Sequence, residues 1–149
     1  MTAVRTIRVE TLGLDADPRT LKQVRAKTRE WLEDWGLPGL VEDAQLIASE
    51  LATNALRHGA LPARFWLCID GNRLLIEVTD GGETMPALRE PDEDGGRGLT
   101  LVKNMAAAWG AEPLWRSKKV WASLVIDESA SGDGSVSDPP TVLLKAIAA

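Results

Sequence analysis

The sequence is poor in cysteine, histidine and aromatic residues, and these shortages exclude several kinds of site. Among its 149 residues there is one cysteine, one histidine, one phenylalanine and no tyrosine. The single cysteine, Cys68, lies in an apolar run and cannot form an internal disulfide, which fits a reducing cytoplasm. With one histidine and one cysteine, Cys/His zinc sites and Cys/His nucleophilic catalysis are nearly excluded.

The sequence also lacks a basic surplus and any long apolar run. Its net charge is −5 and 26% of its residues are charged, so nucleic acid is not expected as a direct partner. No stretch approaches the roughly 20 apolar residues that cross a bilayer, and Met1-Thr2-Ala3-Val4-Arg5 lacks the apolar region of a signal peptide. We therefore expect a cytoplasmic protein that does not associate with membranes. Its length fits one domain with a hydrophobic core.

Turn residues and hydrophobic periodicity predict the elements of the first half of the chain. Asp17 and Pro18 indicate the start of a helix that ends at Gly36, since Pro38 cannot continue it. Basic residues on this helix form either a solvated face or a surface for a partner or phosphate. The predicted elements are a strand at Thr6–Leu12, this first helix, a second helix at Val41–Ala60, and strands at Arg64–Asp70 and Arg73–Asp80 joined by the hairpin turn Asp70-Gly71-Asn72.

The second half is predicted to contain a long loop, a third helix, two strands and a tail. The Pro-, Asp-, Glu- and Gly-rich segment Glu83–Gly96 is long for a connection in a compact domain, and such loops are usually functional or disordered. The Ser/Gly/Asp/Pro composition of Asp127–Pro140 predicts a flexible tail. We place the domain at residues 1–127 and the tail at 128–149. Between them we expect a helix from Gly98 to Gly110 with Leu99, Val102, Met105, Ala106 and Trp109 on its apolar face, and strands at Glu112–Trp115 and Val120–Ile126.

The second helix carries an unusual polar stripe. At about 100° per residue, Glu50, Asn54 and His58 lie only about 60° from an apolar stripe. Buried polar groups cost several kcal/mol unless they are satisfied, so these side chains require an explanation. One is that Glu50 and Asn54 merely flank the core and bond to water or backbone. The apolar stripe contains Ile47, Leu51 and Ala55, and the expected solvent face contains Gln45, Ser49 and Thr53.

Two glycine-rich segments follow in the chain. Asp80-Gly81-Gly82 ends a predicted strand and, alone, is most simply a turn. Gly96-Arg97-Gly98-Leu99 opens a predicted helix, where backbone amides and the helix dipole favour an anion, although such loops are common.

Together, the polar stripe and the glycine segments could serve a nucleotide. Asp80 can accept a hydrogen bond from an exocyclic amine, and Asn54 offers Mg²⁺ an oxygen ligand. Glu50 can orient or deprotonate a water or a hydroxyl. Gly96 and Gly98 can supply amides for the phosphates, Arg97 can supply a charge, and the preceding loop can act as a lid.

In these residues the chain resembles the Bergerat-type ATPases, the group of gyrase, MutL and the histidine kinases. Within that group it is most similar to the bacterial anti-sigma-factor serine/threonine kinases, in their short actinobacterial form. The similarity covers about Arg19–Ile126, with its motifs in the family's order and spacing. The matching segments are Glu50–His58 for the N box, Val78–Gly82 and Asp94–Leu99 for the two glycine boxes, and Trp109-Gly110 with Val120-Trp121-Ala122 for the closing segments.

The order of elements predicts an α/β (α+β) two-layer sandwich, with a mixed, mostly antiparallel sheet and helices on one face. The resemblance implies the same Bergerat fold. It also implies roles for the site residues, which are Glu50 as general base, Asn54 as Mg²⁺ ligand, Asp80 as the reader of adenine, Gly82 as the close approach to the base, and Gly96, Arg97, Gly98 and Leu99 as the phosphate site. For His58, at the end of the helix, we expect a packing role. We do not expect it to be a phosphoacceptor, because the sequence shows no upstream pair of dimerisation helices that carries a histidine.

The function implied is that of an ATP- and Mg²⁺-binding anti-sigma factor. It would phosphorylate a Ser or Thr of an anti-anti-sigma protein and sequester a sigma factor, with a homodimer as a possible assembly. An alternative is a non-catalytic, nucleotide-binding interaction switch, and a less favoured one is an ATPase subunit of a larger machine. The sequence differs from the family pattern at Lys119, which occupies the place where relatives often carry a threonine near adenine.

Overall fold

The computed structural model describes residues 7–82 and 97–127, with the backbone alone at 97–100. Its described part is a five-stranded sheet, ordered β1-β2-β3-β5-β4, with helices packed on one face. All four of its strand pairings are antiparallel, and the predicted two-layer α/β sandwich is confirmed. The elements are β1 Ile7–Leu14, α1 Arg19–Asp34, a 3₁₀ turn at Pro38–Leu40, α2 Val41–His58, β2 Ala63–Asp70, β3 Arg73–Asp80, α3 Arg97–Met105, β4 Ala108–Leu114 and β5 Ser117–Val125. The expected lid, Glu83–Gly96, and the expected tail, 128–149, lie outside the described residues.

The end of α1 is confirmed at the predicted glycine. Gly36 has a φ of +75°, a conformation that costs little only for glycine. The N–H of Leu37 donates to Leu32 O at 2.8 Å, and the N–H of Gly36 donates to Glu33 O at 3.1 Å. This pair of bonds is a Schellman motif, which satisfies carbonyls that the helix end would otherwise leave open.

The core lies between the helices and the sheet. α2 buries an unbroken alanine-, leucine- and isoleucine-rich face against β2, β3 and β5, and α1 packs beside it. Trp31 of α1 stacks on Phe65 of β2, with ring centroids 6.0 Å apart and planes inclined by 15°. Trp31 is thus part of the hydrophobic core. Among the described residues, no helix is long and apolar enough to cross a membrane.

Strand alternation gives the sheet two faces with different contents. The hairpin turn is confirmed, because Asp70 pairs with Arg73 and Gly71 has a φ of +62°. The inner face, against the helices, carries Phe65, Leu67, Leu74, Ile76, Val78, Asp80, Lys118, Val120 and Ala122. The outer face carries Trp66, Cys68, Leu75, Glu77, Thr79, Lys119, Trp121 and Ser123.

The predicted third helix is too long at its C-terminal end. α3 ends at Met105, and Trp109 and Gly110 belong to β4 instead. Gly110 pairs with Trp121 of β5, whose indole lies so close that a Cβ on Gly110 would stand 2.9 Å from the ring. Short apolar runs fit both helix and strand periods, and here pairing with β5 decides for the strand.

The expected solvent face of α2 is also wrong. Gln45, Ser49 and Thr53 are half-buried, because α1 packs along this side of the helix. Gln45 Nε2 donates to the backbone oxygen of Arg25 in α1 at 2.9 Å. The exposed residues of α2 are Glu42, Asp43, Leu46, Arg57 and His58.

Candidate functional site

The C-terminal half of α2 places two of its three polar residues at the rim of the core. Glu50 and Asn54 are half-buried and one helical turn apart, whereas His58, the last residue of the helix, is exposed. Leu51 and Ala55, on the neighbouring stripe, are buried in the core. A carboxylate and an amide are therefore held on a rigid element, next to apolar packing and still accessible from outside.

Asp80 ends β3 as a buried carboxylate on the inner face. Its side chain is 1% exposed, and its Oδ1 accepts the N–H of Gly82 at 2.7 Å. The N–H of Gly81 donates to Ala60 O at 2.6 Å, which ties the segment after β3 to the segment after α2. Asp80 is thus fixed in orientation by its own turn and sits beside the end of α2.

Two glycines make this close approach possible. A Cβ on Gly59, just after α2, would stand 2.4 Å from Asp80 Cγ. A Cβ on Gly82 would stand 2.9 Å from Asp80 Oδ1 and 3.0 Å from the Cα of Gly59. The expected role of Gly82 is to admit a base, and the packing of α2 against β3 already requires glycine there. Gly59 is equally required for this close packing, although the sequence predicted it only as the end of a helix.

Lys118, and not Lys119, is the lysine beside Asp80. The register pairs Asp80 with Lys118 on the inner face and Thr79 with Lys119 on the outer face. Lys118 Nζ lies 3.6 Å from Asp80 Oδ1, and its side chain is 2% exposed. Lys119, at the place where relatives often carry a threonine near adenine, therefore lies on the outer face, because successive strand residues point to opposite faces. If the last strand had been predicted to begin at Ser117 instead of Val120, the alternation of side chains along a strand would have placed Lys118 on the inner face.

α3 carries the remaining predicted site residues. Arg97, Gly98 and Leu99 form the first turn of this helix, as the sequence predicts, while Gly96 lies outside the described residues. α3 contacts α2 and β4, and its Val102 is completely buried in the core. The start of α3, the end of β3 and the polar residues of α2 all belong to the helix side of the sheet.

A second titratable cluster lies on the outer face, away from these residues. Burial raises the pKa of Glu77 from 4.5 to about 7, although nearby Lys119 lowers it and Glu112 raises it further. Lys119 Nζ is fully buried and lies 3.4 Å from Glu112 Oε1. Within the described residues, neither carboxylate oxygen of Glu77 makes a hydrogen bond. Sequence reasoning missed this buried acid, because Glu77 lies in a regular strand run.

A comparison with family models decides the family. The model of the histidine kinase-like ATPase domain matches residues 14–112, which is most of the chain. The chain belongs to this family. Its glutamate and asparagine on α2 and its aspartate after β3 are thereby parts of an ATPase domain, and ATP is the nucleotide that such a domain binds. A search of curated proteins found no match.

A comparison with solved structures found one that has the same fold and two that are less similar. The crystal structure of the RsbU and RsbW domains of Rv1364c from Mycobacterium tuberculosis superposes with a TM-score of 0.60 at 20% identity, covering 78% of this chain and 32% of that one. The chain therefore spans about a third of that protein. The histidine kinase AdeS of Acinetobacter baumannii gives a TM-score of 0.49 at 12% identity, covering 80% of this chain and 69% of that one. A blue-light-activated histidine kinase of Erythrobacter litoralis gives 0.45 at 15% identity, with coverages of 82% and 70%.

The residues of this ATPase domain suit a magnesium nucleotide with few protein ligands. Among the described residues, no group of three or more His, Cys, Asp or Glu side chains could hold a metal. Mg²⁺ keeps several waters and commonly binds through one or two protein oxygens together with phosphates. The half-buried amide of Asn54 provides such an oxygen, so the donor set fits Mg²⁺ that arrives with a nucleotide.

Proposed function

We propose that this ATPase domain is a serine/threonine protein kinase that uses ATP and Mg²⁺ and regulates a sigma factor. The observation that carries the proposal is the buried carboxylate of Asp80, held at the end of β3 against the end of α2 by Gly59 and Gly82. A rigid acceptor in a shielded position can read one hydrogen-bond donor of a base. If Asp80-Gly81-Gly82 were only a surface turn, the carboxylate of Asp80 would be exposed to water and its orientation would not be fixed.

In this proposal each part of the site has a separate task. Asp80 accepts a hydrogen bond from the exocyclic amine of adenine, and Asn54 holds Mg²⁺. The start of α3, with Gly96, Arg97, Gly98 and Leu99, receives the phosphates, because the first amides of a helix favour anions. Bound Mg²⁺ would neutralise charge on the phosphates during transfer.

Glu50 is the proposed general base. It takes the proton of a substrate Ser or Thr hydroxyl while the oxygen attacks the γ-phosphorus of ATP, and ADP leaves with the electrons of the broken P–O bond. Phosphoryl transfer depends mainly on position and charge, and a base of this kind typically contributes about 10²- to 10⁴-fold. Glu50 lies one turn before Asn54 on α2, so the base and the metal ligand share one rigid support.

The partners proposed are a sigma factor and a small anti-anti-sigma protein. They follow from the motif resemblance to anti-sigma-factor kinases, and one structural neighbour contains an RsbW domain. The kinase would phosphorylate the antagonist and so prevent it from displacing the sigma factor. The resemblance also suggests a homodimer, which sedimentation of the purified protein can test.

The test is transfer of the γ-phosphate of labelled ATP to a candidate anti-anti-sigma protein, which is to be sought among the neighbouring genes. We expect the wild type to label one Ser or Thr, and Glu50→Gln to label it at least about 100-fold more slowly. ATP affinity of Glu50→Gln, measured by calorimetry, should stay within about twofold of wild type, because a base is needed for transfer and not for binding.

Glu42→Gln is the matched control, since Glu42 is an exposed glutamate in the first turn of the same helix. Equal labelling by wild type and Glu50→Gln would reject Glu50 as the base. ATP binding without any labelling, together with a nucleotide-dependent complex with a sigma factor, would favour the non-catalytic switch.

A further inference from the structure

The buried ammonium of Lys118 has no role in the site as described so far. It is paired by strand register with Asp80, points to the inner face and lies 3.6 Å from Asp80 Oδ1. Both side chains are almost completely shielded from solvent. A positive and a negative group are thus enclosed together where a nucleotide base is expected.

The contact between the two buried charges of Lys118 and Asp80 is not a tight ion pair. Removing two charges from water costs several kcal/mol per ion, and well-packed apolar side chains often serve a fold equally well. The distance of 3.6 Å is also longer than the roughly 2.7–2.9 Å of a tight charged hydrogen bond. The contact between Lys118 and Asp80 is therefore close enough for the two charges to neutralise each other, but it is longer than a tight charged hydrogen bond.

The two groups match the edge of a 6-aminopurine. Adenine presents a donor, its exocyclic amine, next to an acceptor, the ring nitrogen N1. The polar contacts that the described residues make with Asp80 use Oδ1, which leaves Oδ2 for a ligand donor. An ammonium has three N–H donors, so Lys118 can stay near Asp80 and also donate to a ring nitrogen.

We propose that Lys118 is a base-reading residue, which donates to N1 of the purine while Asp80 accepts from the exocyclic amine. This inference rests on the proposed nucleotide site and adds a second specificity-determining residue to it. Paired positions on antiparallel strands have Cα atoms about 4.5–5.5 Å apart, so a donor and an acceptor are presented side by side. Asp80 alone cannot distinguish adenine from a ring that lacks N1, whereas a donor to N1 can.

The experiment compares two nucleotides in two proteins by calorimetric titration. The nucleotides are ATP and 1-deaza-ATP, in which N1 is replaced by C–H, each with Mg²⁺. Wild type should bind 1-deaza-ATP about tenfold or more weakly than ATP, as expected for loss of a hydrogen bond to a charged group. Lys118→Met should bind ATP about tenfold more weakly and should no longer distinguish the two nucleotides.

Lys118→Gln serves as the second variant, because it keeps a donor of similar reach without the charge. It should retain part of the preference for ATP over 1-deaza-ATP, which a merely structural role would not produce. Lys22→Met, on the exposed surface of α1, is the control for loss of a lysine and should behave as wild type.

Each outcome decides between alternatives. Wild type that binds both nucleotides equally would overturn the reading of N1 by Lys118 and leave the proposed function standing, and this comparison needs no variant to fold. Tighter ATP binding by Lys118→Met would also overturn it, because Lys118 would then compete with the base for Asp80. If wild type binds neither nucleotide, the proposed function fails together with this inference.

Discussion

Two consecutive lysines, Lys118 and Lys119, show how differently the two faces of one sheet use the same side chain. Both are at most 2% exposed, and each lies near a carboxylate, at 3.6 Å from Asp80 and 3.4 Å from Glu112. Lys118 is on the inner face, where α2, β3 and the candidate nucleotide site meet. Lys119 is on the outer face, where the described residues include no helix and where Glu77 is a second buried acid.

The difference lies in how well each carboxylate is held. Asp80 is fixed by the N–H of Gly82 and by the glycines at 59 and 82, whereas Glu77 makes no hydrogen bond within the described residues. A fixed acceptor suits recognition of a ligand. An unsatisfied buried acid instead makes stability depend on pH. We therefore expect inner-face variants to change ligand binding and outer-face variants to change stability.

The largest expected effect is at Glu77 and concerns stability alone. Its pKa is about 7 in the folded chain and 4.5 ordinarily, so the folded state binds more protons between these pH values. The free energy of unfolding should fall as pH rises from 4.5 to 7, by up to about 3 kcal/mol at 1.36 kcal/mol per pKa unit. Glu77→Gln should remove this slope and be more stable than wild type at pH 8, as measured by urea denaturation.

Glu42→Gln, an exposed control, should keep the wild-type slope. If wild type and Glu77→Gln lose stability equally over this pH range, then the outer face does not hold a protonated acid. ATP affinity should be the same for Glu77→Gln and wild type at any pH where both are folded.

The next largest effect is on ATP affinity and should differ between Asp80 and Glu112, the carboxylates near Lys118 and Lys119. Asp80→Ala should lose about 1.5–3 kcal/mol of ATP binding, or roughly 10- to 150-fold in affinity, because a charged hydrogen bond to the base is removed. Glu112→Ala should leave ATP affinity within about twofold of wild type. Calorimetry of both variants checks this, and unchanged affinity of Asp80→Ala would reject Asp80 as the base reader.

A third comparison uses two glycines, one packed against a residue of each face of the sheet. Gly110→Ala places a Cβ 2.9 Å from the Trp121 ring, and overpacking of this kind should cost about 1–3 kcal/mol of stability. Gly59→Ala places a Cβ 2.4 Å from Asp80 Cγ and should weaken ATP binding as well as stability. Thermal melts with and without ATP distinguish the two, since ATP should still raise the melting temperature of Gly110→Ala by the wild-type amount. An equal loss of ATP response in both variants would contradict the separation of the faces.

The smallest effect is expected at the β4–β5 hairpin tip, which belongs to neither face. Trp115 is 83% exposed, and its ring lies 4.5 Å from the guanidinium carbon of Arg116. An exposed contact of this type contributes about 0.5–1 kcal/mol, so Trp115→Ala should change urea stability by no more than that. A larger loss would show that the tip supports one of the two faces.

Most of the fold could be predicted because its elements are strongly periodic or clearly punctuated. Gly36 and Pro38 end α1, and Gly71 marks the β2–β3 turn, as local chemistry requires. The error at α3 and β4 arose where Trp109 and Gly110 suit either a helix or a strand, and only pairing with Trp121 distinguishes them. Local sequence does not contain that pairing.

The residues of the candidate site that form sequence motifs could be predicted, whereas those that matter only because of tertiary packing could not. Glu50, Asn54 and Asp80 lie in recognisable segments, and the structure places them on the helix side of the sheet. Lys118 and Gly59 were missed because their importance arises from register and from a close approach between two elements distant in sequence. The family pattern points to Lys119, and the predicted last strand begins at Val120, whereas β5 begins at Ser117 and its faces alternate at every residue, so that Lys118 is the lysine on the inner face.

The lone thiol of Cys68 has a practical consequence. It is completely buried in β2, and burial together with the negative charges of Glu77 and Asp70 raises its pKa to about 12. Because alkylating reagents attack the thiolate, the folded chain should resist labelling at neutral pH, and modification should require the sheet to open. With only one cysteine in the sequence, the labelling rate of the purified protein reports that opening at a single site.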